Sequence, residues 1–222
     1  MKTVAFIPIK LNNERTPGKN TKQFADGTPL MYFVQHSMLQ LKSNGQIDEI
    51  YVYCSDEAVK DYILDGIQFL QRPFRLDRKE TKGTEIYQEF VKTIDADVYV
   101  LAHATSPFIS VEHICSCISA VQSGNYDSAF CAKKIQNFLW CKNRPMNFKL
   151  SDPPRTQDME PIFMEQSTPY VFTKDAFLTY GARTGENPFI CEVSEIECVD
   201  IDYPEDFELA NAIYMNLLRN SR

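Results

Sequence analysis

Two carboxylates lie one residue apart near the end of the chain, in Val199-Asp200-Ile201-Asp202. On an extended segment alternate residues point to one face, so Asp200 and Asp202 would share a face. Like charges that close repel unless a cation lies between them. Hard oxygen donors beside a polyphosphate suit magnesium. The competing reading leaves one Asp exposed at a strand end and gives the other to capping the next helix, a task Asp206 can already perform. A second cluster, near the start of the chain, carries the opposite charge. Lys10, Arg15 and Lys19 share one loop, with Asn20 as a neutral donor. Three cations after a strand match a polyphosphate better than a single carboxylate. A solvated surface loop is the alternative.

The elements that must position these groups read as an alternation of strands and helices. The basic loop follows Val4-Ala5-Phe6-Ile7-Pro8-Ile9, an apolar run suited to a buried strand of a parallel sheet. Cations after such a strand lie at the carboxyl edge, where open α/β sheets bind ligands. Leu30, Phe33, Val34, Met38 and Leu41 predict an amphipathic helix over 30–41. A strand over 47–54 follows, then a helix over 57–64 capped from Ser55-Asp56 and a short strand over 66–69. This order signals a parallel sheet with right-handed crossovers. Further on, helices are expected over 85–93, 111–123, 175–180 and 206–218. Strands are expected over 97–102, 128–133, 169–173 and 194–201, the last carrying alternate carboxylates. The segment 137–163 is rich in proline, yet Phe138, Trp140, Phe148, Met159 and Phe163 are too apolar for a disordered linker. It is expected to pack on the core or on a second subunit, within a single domain spanning 1–222.

Composition narrows the function classes. A 222-residue chain with formal net charge -7 is not a general nucleic-acid binder. An acidic protein that binds an anion must concentrate its cations locally. The seven cysteines form no Cys-x-x-Cys pair and read as reduced, mostly core thiols. Cys115-Ser116-Cys117 is a weak metal or redox candidate. The first residues lack a secretion-signal pattern, and no apolar stretch approaches membrane-spanning length, so a cytoplasmic protein without membrane partners is expected. The glycine-rich phosphate loops Gly-x-x-x-x-Gly-Lys-Ser/Thr and Gly-x-Gly-x-x-Gly are missing. With eight glycines in all, phosphate binding would lean on side-chain charge.

Five segments, in order over nearly the whole length, resemble the acylneuraminate cytidylyltransferase family, the CMP-sialic acid synthetases and their nonulosonate-activating relatives. Ile7-Pro8-Ile9-Lys10 through Pro17-Gly18-Lys19-Asn20 resembles the family's N-terminal signature. Arg72-Pro73 and the Thr-containing loop after it resemble the base-binding segment. Thr105-Ser106-Pro107 resembles the motif after the central strand. Arg155-Thr156-Gln157-Asp158 together with residues 165–171 makes the fourth match, to the family's Arg-x-Gln-Asp and Glu-Asn-Gly-Ala-x-Tyr pattern. Asp200-Ile201-Asp202-Tyr203-Pro204-Glu205-Asp206 resembles the family's close. The resemblance implies an α/β fold of the GT-A nucleotidyltransferase type: a mostly parallel central sheet flanked by helices, with 137–163 as a small dimerisation lobe. It also implies a homodimer and a Mg2+-dependent reaction in which CTP and an acidic sugar give the CMP-sugar and pyrophosphate.

Carried over by residue, Lys10, Arg15, Lys19, Asn20, Arg72 and Thr84 would bind the nucleotide. Asp200 and Asp202 would hold Mg2+ and, with Lys19, form the catalytic set. His103, Thr105, Ser106, Arg155, Gln157 and Gln166 would contact the acceptor. His103 also reads as a hydrogen-bonded structural residue. Lys10 stands where the family has Arg, which keeps the charge but loses the bidentate fork. Glu14 puts an acid at a usual cation position. His103-Ala104 replaces Gln-Pro, and Gln166-Ser167-Thr168 replaces Asn-Gly-Ala. These changes touch the phosphate loop and the acceptor pocket, and they point to an acidic sugar or anionic acceptor other than sialic acid. A same-fold enzyme using another nucleotide and a non-catalytic nucleotide-binding relic are the rival readings.

Overall fold

A computed structural model of the chain describes residues 1–12 and 16–219. Arg15 and Glu14 lie outside the described residues. The chain runs β1 Thr3–Pro8, α1 Leu30–Ser43, β2 Glu49–Cys54, β3 Gln68–Gln71, α2 Gly83–Thr93, β4 Val98–Leu101, α3 Val111–Gln122 and β5 Ser128–Ile135. It continues with a small hairpin, β6 Trp140–Cys141 and β7 Arg144–Pro145. Then come β8 Ile162–Thr173, α4 Lys174–Tyr180, β9 Pro188–Glu192 and α5 Pro204–Ile213. Seven strands form one sheet in the order β3-β2-β1-β4-β8-β5-β9. Strands β1 to β4 pair in parallel, whereas β8 runs antiparallel to both β4 and β5.

The first strand is the axis of the core. Val4, Ala5, Phe6 and Ile7 have no solvent exposure, and strand alternation sends them to opposite faces. Ala5, Ile7 and Ile9 pack with Met31, Val34 and Met38 of α1 and Ile114 and Ile118 of α3. Val4 and Phe6 pack on the other face with Tyr87 and Phe90 of α2 and Phe177 of α4. Phe6 and Phe90 stack at 4.2 Å between ring centroids. A third apolar cluster, of Phe24, Phe33, Phe108, Ile201, Phe207 and Tyr214, fastens α5 to α1.

The structure departs from the sequence reading in several places, among them β8, which begins at Ile162 rather than at residue 169. Residues 57–62 form a 3-10 helix, capped by Asp56 accepting from the Ala58 amide at 2.9 Å. No strand forms over 194–201; residues 195–198 are a turn and Asp200 and Asp202 lie in an irregular segment. The cause is Glu197, whose carboxylate accepts from the Ser194 amide at 3.0 Å and the Ser194 hydroxyl at 2.8 Å, contacts that require the turn. The last sheet strand is instead the edge strand β9, in which Cys191 alone is buried. Phe138 and Trp140 pack on Phe148 around the small hairpin, at 4.5 and 5.5 Å, and both are exposed in the single chain.

All seven cysteines are free. Cys117 lies in the core 3.9 Å from Cys131, while Cys115 faces Ser119, so the Cys115-Ser116-Cys117 pair does not converge. Among the described residues no helix is long and apolar enough to cross a membrane.

Glu197 also ties this turn to the start of α3. Its carboxylate accepts from the Ser110 amide at 3.0 Å and pairs with His113 Nδ1 at 2.6 Å. Burial works against the His113 cation, but the Glu197 hydrogen bond and charge outweigh it and raise its pKa above 6.5. Burial likewise disfavours the Glu197 carboxylate, yet the bonds from His113, Ser110 and Ser194 hold its pKa down at about 2. The raised His113 value stabilises the fold fully below 6.5, a contribution lost as pH rises through the folded value. The depressed Glu197 value stabilises it above 4.5, a contribution lost as pH falls toward 2. Glu197→Gln is expected to flatten both limbs of the stability–pH curve. It should cost roughly 1–3 kcal/mol near pH 6, the half-exposed His113 discounting the value of a fully buried pair. Urea titrations from pH 3 to 8 measure this, and a variant curve parallel to the wild type would contradict it.

Candidate active site

Three of the sequence-predicted residues follow the carboxyl ends of sheet strands: Lys10 after β1, Arg72 after β3 and His103 after β4. All three line a cleft of about 320 Å³ with Arg78, Lys79, Thr81 and Tyr87. Lys10 Nζ donates to the Asp77 carbonyl at 2.9 Å, and Arg72 Nη2 pairs with the Asp77 carboxylate at 2.7 Å. Asp77 therefore sets the spacing of both cations. Arg72 is 2 % exposed, and its Nε has no hydrogen-bond acceptor among the described residues. Asn20 does not face this cleft; its buried side chain donates to the Lys10 carbonyl at 2.9 Å and so fixes the backbone beneath Lys10. Thr84 lies in the first turn of α2, away from the lining, and Thr81 takes the place expected for it.

A second cleft, of about 380 Å³, adjoins the first through His103. It is lined by Thr105, Gln166, Asp200 and Asp202, all expected, and by Glu165, Ser167, Tyr170 and Arg183. The two Asp side chains share this wall although no strand carries them. Ile201 between them is fully buried in the α5 cluster, and its amide donates to the Thr105 carbonyl at 2.9 Å. One buried residue thus turns both neighbours outward. Asp200 accepts from the Ser167 hydroxyl at 2.9 Å and, more loosely, from the Ser106 hydroxyl at 3.4 Å. Asp206 accepts from the Asp202 and Tyr203 amides at 2.9 and 2.8 Å, so it performs the helix-capping task and leaves the pair for another role.

Lys19 is turned inward. Gly18 adopts φ 69°, a left-handed conformation that glycine takes without steric cost, and the short 3-10 turn after it buries Lys19. Lys19 Nζ donates to the Ile201 carbonyl at 2.7 Å and pairs with Asp202 at 3.2 Å. The Thr16 hydroxyl donates to the Asp202 carbonyl at 2.9 Å. The first loop therefore holds the last one in place, and Lys19 is not part of the cleft lining.

His103 joins the two halves. Its amide donates to Thr168 Oγ1 at 2.8 Å, and Nδ1 lies 2.5 Å from the Ser167 carbonyl, which can only accept. Burial lowers the pKa of the ring, so it is neutral with the proton on Nδ1. Nε2, 3.2 Å from the Tyr87 hydroxyl, then accepts from Tyr87. The structural and site-lining readings of His103 both apply.

Arg155 and Gln157 are exposed in the 137–163 excursion and outside both halves; Arg155 pairs with Asp158 at 2.7 Å. Sequence reasoning missed Arg183, Tyr87 and Tyr170. Tyr87 and Tyr170 fall at buried positions of α2 and β8 and look like core residues. Arg183 sits in the loop between α4 and β9, where no periodicity marks it.

The donor set fits magnesium. Asp200 and Asp202 supply hard oxygens on one wall, and Mg2+ takes one or two carboxylates and completes its shell with phosphate oxygens and water. The grouping of three potential ligands among the described residues, Cys117, Cys131 and Cys191, is buried, soft and unsuited to that ion.

The family pattern described as Cytidylyltransferase matches residues 4–221. The chain is 24% identical, over 96% of each chain, to a protein of Legionella pneumophila named CMP-N,N'-diacetyllegionaminic acid synthase. Among solved structures it resembles CMP:2-keto-3-deoxy-manno-octonic acid synthetase complexed with CTP, with TM-score 0.69 and 17% identity over 98% of this chain and 100% of that one. It also resembles the bifunctional IspDF of Campylobacter jejuni, with TM-score 0.68 and 12% identity over 94% of this chain, which spans 54% of that longer protein. Since the family match runs almost from end to end of a nucleotidyltransferase-type sheet, the chain belongs to the cytidylyltransferase family.

Proposed function

We propose that the protein transfers CMP from CTP to an acidic sugar of the nonulosonic type and releases pyrophosphate. The observation that carries this reading is the junction at His103, where a half rich in cations meets a half with paired carboxylates. Lys10, Arg72, Arg78 and Lys79 would offset the charge of the triphosphate and hold the nucleotide. The acceptor would enter on the Asp200 side, which brings the α-phosphorus to the junction. The names of the Legionella relative and of the octonic acid synthetase support an acidic sugar as acceptor.

The acceptor hydroxyl oxygen attacks the α-phosphorus, and the bond to the bridging oxygen breaks in line as pyrophosphate leaves. Asp200, oriented by the Ser167 and Ser106 hydroxyls, accepts the hydrogen bond of that hydroxyl and takes its proton as the new bond forms. Neutral His103 forms the wall between the halves without adding charge. Lys19 positions Asp202 rather than touching phosphate. Asp200 and Asp202 would hold Mg2+, which would supply positive charge for the phosphate oxygens. The working form would be a cytoplasmic homodimer, with the exposed Phe138, Trp140, Met146 and Leu150 covered by the second copy.

Pyrophosphate release should occur with CTP, an acidic nonulosonic sugar and magnesium, cease with a chelator, and fall at least ~100-fold with UTP, GTP or ATP. Release with UTP or GTP but not CTP would sink the cytidylyl reading. Asp202→Asn keeps an oxygen for Lys19, so it should leave the melting temperature within a few degrees while turnover drops by ~10²-fold or more. A fully active variant would remove Asp202 from the metal site. Light scattering should give a particle of twice 25.6 kDa; a monomeric mass at micromolar concentration would count against the dimer.

A further inference from the structure

Among the described residues that line the acceptor half, three are carboxylates, Glu165, Asp200 and Asp202, and one is a permanent cation, Arg183. His103 is neutral there for the reason given above. Lys19 and a metal ion held by Asp200 and Asp202 would offset those two carboxylates, but Glu165 remains, and recognition of an acid group needs a cationic donor that faces it. Lys19 is turned inward onto Asp202, and Lys10 and Arg72 belong to the other half.

The surroundings of Arg183 hold its guanidinium in place while leaving it only loosely paired. The guanidinium lies 3.8 Å from the centre of the Tyr170 ring, an arrangement that fixes the plane of the fork. Its Nη2 is 3.5 Å from Glu165, a long contact, whereas the Tyr170 hydroxyl holds the same carboxylate oxygen at 2.8 Å. The Tyr87 hydroxyl, which bonds His103, is also a hydrogen-bonding neighbour of Arg183. The fork therefore stands beside the junction, stacked on one tyrosine and next to another, with Glu165 belonging chiefly to Tyr170. A planar guanidinium held this way recognises a carboxylate through two parallel hydrogen bonds.

We infer that Arg183 is the specificity-determining residue that reads the carboxylate of the acidic acceptor. This rests on the acidic-sugar reading of the same cleft, but it assigns the recognition to a residue of this chain's α4–β9 loop, not to Arg155 in the excursion. Arg155 is exposed and already held by both oxygens of Asp158, at 2.7 and 3.1 Å.

The test compares each acid with its uncharged C1 amide. N-acetylneuraminic acid, N,N'-diacetyllegionaminic acid and 2-keto-3-deoxy-manno-octonic acid serve as probes. Calorimetric binding, which needs no turnover, is measured with the full-length wild type, Arg183→Met, Arg183→Lys and Arg155→Ala, with pyrophosphate release from CTP in parallel. The wild type should prefer at least one acid over its amide by roughly 10- to 100-fold. Arg183→Met should reduce that preference to within about 3-fold, Arg183→Lys should restore part of it, and Arg155→Ala should keep it. The KM for CTP should stay unchanged in Arg183→Met, which a general loss of structure would not allow. A preference retained in Arg183→Met, lost only in Arg155→Ala, or absent from the wild type overturns the inference. An acid preference that depends on Arg183 without any pyrophosphate release would uphold it while refuting the cytidylyltransfer reading.

Discussion

A buried ammonium must be paired, and in this protein the pairing of Lys19 decides where Asp200 and Asp202 stand. Lys19 reaches from the loop after β1 to the Ile201 carbonyl and the Asp202 carboxylate. Two segments separated by almost the whole chain are thereby fastened together at the sheet edge. Asp202 is 38 % exposed, so the ion pair itself is worth less than a fully buried one, and the tether rests as much on the Ile201 carbonyl. Ile201 adds an apolar anchor to the same point, locked among Phe24, Phe33 and Phe207. Asp200 and Asp202 therefore hold a fixed direction without belonging to a strand.

On this foundation the carboxyl edge divides by charge. Cations follow β1 and β3, and carboxylates come from the last loop and from β8. The central strand β4 delivers His103 between them. The reversed direction of β8 matters here, because its early residues run past the end of β4 and bring Gln166 and Ser167 to the cleft, while buried Thr168 bonds the His103 backbone. A parallel strand in that position would leave its amino end at the opposite edge. The neutrality of His103 follows from its burial and from the Ser167 carbonyl, which keeps the proton on Nδ1. The boundary between the two halves thus carries no charge of its own.

The parallel half of the fold was legible in the sequence, because 4–9, 47–54 and 97–102 are short apolar runs with clear breaks. Helices with capping residues, such as α3 between Ser110 and Gly124, were equally plain. Periodicity did not show that Glu197 would fold 194–198 into a turn: the turn is made by its local bonds from Ser194 and fixed by Ser110 and His113, more than eighty residues away. Alternation at 200–202 identified a shared face, but the face comes from the burial of Ile201 rather than from a ladder. Lys19 was legible as a charge near the site and not as a tether, for its partner is known only once the two loops meet. Arg183 had no local signature, because its setting is made by Tyr170, Tyr87 and Glu165 from other elements.

The central claim is that nucleotide and acceptor occupy the two halves and meet at His103. A crystal structure of the protein with CTP, magnesium and an acidic nonulosonic sugar tests it most directly. The account predicts phosphate oxygens against Lys10 and Arg72, the sugar against Asp200 and Arg183, and the reacting phosphorus beside His103. A nucleotide seated anywhere else, or a sugar that leaves Asp200 and Arg183 untouched, would contradict it.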